Sequence, residues 1–238
     1  MGKHRRWISV GALGLALSGL IAARLFAMHD DLSEQTERVR KAVAVLDSIM
    51  SAPDKQIPAD LLAKAEGVAV IPNVVKGAFL AGGRFGKGLV AARSADGHWG
   101  TPSFVDLGGG SFGLQAGVEA TDLVLVFTSP DGLREMLKDN LKLGVDAAAV
   151  AGPVGRHVEA GSNLTFDSPI YAYSRNKGVF AGVSVDGSIL SIDDSANHAV
   201  YGKGVTGTDI LVTGRVPVHQ LTKPFVAALN RHAPRTDS

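Results

Sequence analysis

The sequence predicts an α+β fold: N-terminal helices packed on a curved, Gly-rich, largely antiparallel barrel-like sheet, preceded by an N-terminal membrane-targeting helix. Three observations carry this expectation. Apolar residues recur with a helical period before Gly67 and again near the C-terminus, whereas the middle of the chain alternates with a period of two. Turn signals separate consecutive strand-like runs at hairpin spacing, without βαβ alternation. The 238 residues include 29 glycines and only 6% aromatics, so the core must use small side chains and close backbone approach.

Residues 1–30 have the layout of an export signal. Lys3, Arg5 and Arg6 precede an apolar run from Trp7 to Ala23, and Asp30 and Asp31 follow. The basic flank stays on the cytoplasmic side, which sends the body across the membrane. A cleaved signal peptide and a persistent signal anchor both fit. The anchor is preferred because Leu25-Phe26-Ala27 is a poor cleavage site and about 20 residues suffice to span a bilayer. The expected location is the periplasmic side of the inner membrane. Residues 31–238 then form a single domain.

Residues 32–50 read as an amphipathic helix, with Val39, Val43, Leu46 and Met50 on one stripe and Glu34, Glu37, Arg38, Arg40 and Lys41 on the polar face. Asp31 and Glu34 resemble a capping box, and Pro53 stops the helix. A second helix is expected from Pro58 to Glu66 with Gly67 as its cap. Strands follow in GVAVIP, KGAFLAGGRFG, GLVAARSADGHW, PSFVDL and TDLVLVF, with Ala95-Asp96-Gly97 as a tight turn. A helix is expected over Asp131–Asp139. Three short strands separated by Asn176-Lys177-Gly178 and Asp186-Gly187 come next. A helical turn at Asp194–Val200 and a C-terminal helix from Thr222 to Arg231 end the chain. Lys76-Gly77-Ala78-Phe79 echoes Lys177-Gly178-Val179-Phe180 and suggests two equivalent hairpins.

Composition narrows the chemistry. Four basic residues and no acid precede Asp30. Removing those four from the 24 Lys and Arg leaves 20 against 23 acids, a charge of −3, so nucleic acid is not an expected partner. Absence of cysteine removes disulfides, thiolate metal sites and Cys nucleophiles. The seven histidines form no HxH or HxxxH pair, and no metal site is expected. Asp193-Asp194 reads as a helix start.

LGGGSFGLQAG, residues 107–117, satisfies two catalytic patterns at once. Gly108, Gly110 and Gly113 spell the dinucleotide fingerprint, and Gly109, Ser111 and Gly113 spell the nucleophile elbow. Either would need a helix after the turn, and that helix would carry Gly113 and Gly117 at a cost of about 1 kcal/mol each. The glycines are therefore expected inside strands, where they allow bending, bulges and close contact. GGRFGKG lacks the Ser or Thr and the first Gly of a phosphate loop. No cofactor is expected.

AEGVAVIPNVVKGAFLAGGRFGKGLVAARSADGHWGTPSFVDLGGGSFGLQAGVEATDLVLVF, LGVDAAAVAGPVGR, YSRNKGVFAGVSVDGSIL and NHAVYG resemble, in order and spacing, the SYLF domain family. The likeness covers about residues 61–202. Its specific segments are Ile71-Pro72 with Lys76-Gly77, Gly113-Leu114-Gln115-Ala116-Gly117, Ala151-Gly152-Pro153-Val154-Gly155 and Tyr173-Ser174-Arg175 with Lys177-Gly178.

This resemblance implies binding without catalysis. Eukaryotic members are similar to modules that bind phosphoinositides and, in some fungi, actin filaments; bacterial members are exported or lipid-anchored. Here the helix matching the basic lipid-binding region is mixed in charge, Gly100 stands where Ser often follows the family's Trp, and no SH3 or FYVE domain is present. An exported protein does not meet actin in its own cell, so actin is not expected. The expected partner is membrane phospholipid, anionic or a similar amphiphile. An envelope protein held at a sheet edge or glycine groove is the alternative, and a serine hydrolase using Ser111 is a third reading. Candidate head-group contacts are Lys76, Arg84, Lys87, Arg93, Arg175 and Lys177. Candidate structural glycines are Gly108, Gly110, Gly113, Gly117, Gly152 and Gly155.

Overall fold

The computed structural model describes residues 31–51, 57–77, 83–110, 118–138, 140–153, 167–176 and 179–234. The expected membrane-targeting helix lies outside them, and among the described residues no helix is long and apolar enough to cross a membrane.

Strand β1 (Gly67–Gly77) runs through the middle of a sheet of nine strands among the described residues. Val68 and Val70 belong to one core cluster, Ala69 and Ile71 to another, so β1 is covered on both faces. Burial on both sides explains why GVAVI reads as a continuous apolar run. The neighbours of β1 are β2 (Gly83–Ala92) and β4 (Val118–Phe127), both antiparallel to it. Beyond β2 come β3 (Ser103–Gly110), then β9 (Ser188–Ile192) and β5 (Leu141–Lys142). Beyond β4 comes β7 (Ile170–Asn176), whose far edge takes β6 (Ala149–Ala151) and β8 (Val179–Gly182). Of these pairings only β6 with β7 is parallel.

Opposite edges of the sheet, β5 and β6, are joined by residues 143–148 alone. The seven steps from Lys142 to Ala149 reach at most about 25 Å, so the sheet must curl until its margins approach. Leu143, Ala147 and Ala149 are buried in the core of the inner face. The result is a half-barrel, as the sequence predicts.

Helices cover the outer face: α1 (residues 31–50), α2 (Ala59–Ala63), α4 (Asp194–Tyr201) and α6 (Lys223–His232). The inner face packs on α3 (Pro130–Lys138), through Leu133 and Met136, and on Leu211 of α5 (Gly207–Leu211). Three details differ from expectation. Helix α2 is shorter than Pro58–Glu66, and Gly67 opens β1 instead of capping the helix, because Glu66 N–H already bonds the Phe127 carbonyl of β4. Helix α5 was not anticipated; the Thr206–Asp209 capping box starts it. The buried stripe of α1 is Gln35, Arg38, Val39, Ala42, Val45, Leu46 and Ile49, while Val43 and Met50 are only half-buried.

Two glycines are required by close approach. A Cβ on Gly109, where φ is 153°, would lie 2.5 Å from the Gly187 carbonyl oxygen. One on Gly152 would lie 2.1 Å from the Tyr173 ring. Both let the backbone approach a neighbour more closely than any side chain permits.

Candidate binding site

The strand register builds the site in cross-strand rows. On β2, β3 and β9, Lys87 faces Asp106, and Asp106 faces Ser191. Two residues along, Phe85 faces Gly108, and Gly108 faces Ile189. These rows lie on the outer face, the same side as Leu89 and Phe104, beyond the start of α1. Together with Asn140 they line an open groove of about 550 Å³. Phe85 is 67% exposed there, and a Cβ on Gly108 would meet nothing within 4 Å. One row is polar, the other apolar, with a notch at Gly108.

A third row lies on the inner face of the same strands. Lys76 is the partner of Arg84 across β1 and β2, Arg84 of Gly109, and Gly109 of Ser188. The missing side chain at Gly109 lets Arg84 Nη1 reach across and donate to Ser188 Oγ at 3.0 Å. Arg84 Nε is buried without a hydrogen bond, and no carboxylate among the described residues pairs with this guanidinium. Burial holds Arg84 below its ordinary arginine range.

The other expected contacts have different surroundings. Lys87 Nζ pairs with Glu34 of α1 at 3.0 Å, both side chains being more than half exposed. Arg175 pairs with Asp122 at 2.6 Å and also donates to Ser48 of α1. The other Asp122 oxygen accepts from Asn73 N–H at 3.0 Å, holding a bulge of β1 where Asn73 has φ 50°. Arg93 donates to the carbonyls of Ala65, Gly97, Leu62 and Ala233. It also stacks on Trp99 at 4.2 Å. Its donors are committed to the scaffold. The Lys76 backbone lies on β1, whereas Lys177 lies outside the described residues. Arg84, Lys87 and, by register, Lys76 therefore gather at one end of the sheet; Arg93 stands at the other.

Beneath the first half of α1, Arg38 Nη1 meets Asp193 Oδ2 at 2.9 Å, with both side chains almost wholly buried. The Arg38 guanidinium also lies over Phe104, 5.3 Å from the ring centre. Asp193 caps α4 by accepting from Ala196 N–H and Ser195 Oγ–H. Burial pushes its carboxyl up, but those bonds and Arg38 outweigh it and leave it below the usual carboxylate value. Asp106 behaves oppositely. Its carboxylate accepts no hydrogen bond among the described residues, one oxygen is sealed from solvent, and burial followed by the nearby Asp193 charge pushes it up.

Gly108 and Gly110 lie in β3. Ser111, Gly113, Gly117 and Gly155 lie outside the described residues. β3 and β4 are antiparallel, with β2 and β1 between them, so they do not form the parallel unit of a dinucleotide site. Among the described residues no group of three His, Asp or Glu could hold a metal. Sequence reasoning did not single out Phe85, Asp106, Asn140, Ile189 or Ser191. Their common signal is cross-strand register, which no short motif carries.

A second groove, about 500 Å³, runs between the β2–β3 turn, α3 and residues 212–218, with Val212 61% exposed.

Residues 108–232 match the family model Ysc84, described as "Las17-binding protein actin regulator". Protein YSC84 of Saccharomyces cerevisiae is 37% identical over 202 residues, covering 82% of this chain and 43% of that protein. The LAS seventeen-binding protein 3 of the same yeast is 34% identical over 207 residues, 85% of this chain and 45% of that protein. The rat SH3 domain-containing YSC84-like protein 1 is 35% identical over 203 residues, 84% of this chain and 59% of that protein. The chain thus spans about half the length of the curated relatives it matches. By sequence, this chain belongs to the Ysc84 family of SYLF domains, a family of the binding type.

Proposed function

We propose that the protein is a non-catalytic module binding anionic phospholipid, or a similar amphiphile, at a cell envelope. Its N-terminal segment holds it on the periplasmic side of the inner membrane. One observation carries the reading: Arg84 is a half-buried guanidinium with a single hydroxyl partner and no carboxylate among the described residues. A desolvated cation lacking a counter-ion costs free energy that a bound phosphate returns. Lys76 is the partner of Arg84 in backbone register across β1 and β2.

Cosedimentation with vesicles of phosphatidylglycerol in phosphatidylcholine tests this. Wild type is expected to bind in proportion to the phosphatidylglycerol fraction. Lys76→Ala with Arg84→Ala is expected to weaken binding roughly tenfold or more, each surface charge contributing about 1 kcal/mol. Wild-type affinity in the double variant would refute the assignment.

A second reading, a domain that holds a protein partner, is favoured by the family's description as a Las17-binding actin regulator and by the groove beside Val212. A stoichiometric protein recovered on affinity purification, without lipid, would support it. Hydrolysis through Ser111 has least support, because the family is one of binding modules.

A further inference from the structure

We infer that the groove over Gly108 seats a phospholipid head bearing a primary ammonium. The Asp106 carboxylate is its counter-charge, the phosphate lies beside Lys87, and the first acyl carbons lie between Phe85 and Ile189. This rests on the reading of the protein as a phospholipid binder, but it uses the face of β2 and β3 opposite Arg84.

Three observations lead there. Asp106 and Lys87 are directly opposed on antiparallel strands, a position that puts Cβ atoms about 5 Å apart and lets opposite charges pair. Here they do not: Lys87 turns to Glu34, and the Asp106 carboxylate is left with no hydrogen-bond donor among the described residues. A half-buried carboxylate without a donor is costly, and a charge-assisted N–H···O bond removes that cost.

The charges around the carboxylate choose the sign of the ligand. Glu34 and Asp193 add negative charge near Asp106, Arg38 and Lys87 add positive, and both cations already have carboxylate partners. An anion placed on Asp106 would meet net repulsion, whereas an ammonium meets attraction.

The adjacent row fixes the rest of the ligand. Phe85, Gly108 and Ile189 begin two residues along the strands, roughly 7 Å away. Phe85 and Ile189 wall a notch that Gly108 leaves open. An ethanolamine head, with its ammonium, its phosphate and its lipid chains in that order, matches a carboxylate, a lysine and an apolar notch.

The test is titration of the full chain with dihexanoyl-phosphatidylethanolamine below its micelle concentration, beside the phosphatidylcholine and phosphatidylglycerol analogues. The ethanolamine lipid is expected to bind at least fivefold more tightly than the choline lipid, whose quaternary nitrogen has no N–H to donate. Asp106→Asn should abolish that advantage and Asp106→Glu should restore part of it, with thermal melts confirming that each variant folds. Gly108→Val, which fills open space, should weaken all three lipids. Equal binding of the ethanolamine and choline lipids, an advantage that survives Asp106→Asn, or no effect of Gly108→Val would each overturn the inference. Phosphatidylglycerol-vesicle binding without an ethanolamine advantage overturns this inference alone. An ethanolamine advantage without phosphatidylglycerol-vesicle binding overturns the anionic-lipid reading alone.

Discussion

The two ends of β2 carry arginines in opposite circumstances. Arg93, just past its C-terminal end, spends its guanidinium on four backbone carbonyls and the face of Trp99. Those carbonyls come from α2 and the residues after it, from the β2–β3 turn and from the residue after α6, so one side chain ties three distant segments together. Trp99 Nε1–H donates to the same Ala233 carbonyl at 3.0 Å. Arg84, at the N-terminal end, has among the described residues one hydroxyl and a buried Nε with no partner. Both are basic residues in a glycine-rich run, and in sequence they look alike. The difference is how many acceptors the fold brings to each, and that count separates a scaffold cation from one open to a ligand.

The largest effect is expected from Arg93→Ala. It leaves four carbonyls without their charged donor, and a stability loss of about 3 kcal/mol is expected from urea unfolding, with little change in lipid affinity. A loss below about 1 kcal/mol would remove the scaffold role.

A second test uses pH. Arg38 belongs with Arg93, because its partner Asp193 is held below the usual carboxylate range. An acid with a depressed native pKa contributes stability that is fully present above its unfolded value, near pH 3.9, and lost as pH falls through the native value. Unfolding midpoints between pH 5 and pH 2 should therefore drop in wild type and drop less in Asp193→Asn. Asp106 has the opposite sign. Its raised native pKa means that ionisation destabilises the fold, and the cost disappears as pH falls towards the unfolded value. Asp106→Asn should accordingly raise the melting temperature at neutral pH. A fall there would show that the carboxylate has a partner in the native state.

The smallest effect on stability is expected at Arg84. Arg84→Ala should change unfolding free energy by no more than about 0.5 kcal/mol, since one neutral hydroxyl contact is lost and a desolvated charge is relieved. A large loss would place Arg84 with Arg93 and empty the open end of its meaning.

Much of the fold is legible in the residues because its signals are local. Period-two runs, Asp96-Gly97 and Asp186-Gly187 mark strands and turns where β2, β3, β8 and β9 are found. Glycines of β3 could be placed in a strand because a helix there would have been poor. Arg38 could not be read as buried, since its environment is created by Asp193, 155 residues away. Helix α5 was missed because its five residues carry no full apolar period; only Thr206 and Asp209 announce it. The site was the least legible part. Lys87, Asp106 and Ser191 become neighbours through strand register, and a shift of one residue would send each to the other face.

The strap of residues 143–148 that links β5 to β6 has a consequence for how partners approach. Peripheral strands β5, β6 and β8 are two, three and four residues long. A visiting chain would find only brief stretches of unpaired amide and carbonyl on which to lay a strand of its own. Among the described residues, side chains and grooves therefore offer a partner more than the strand edges do.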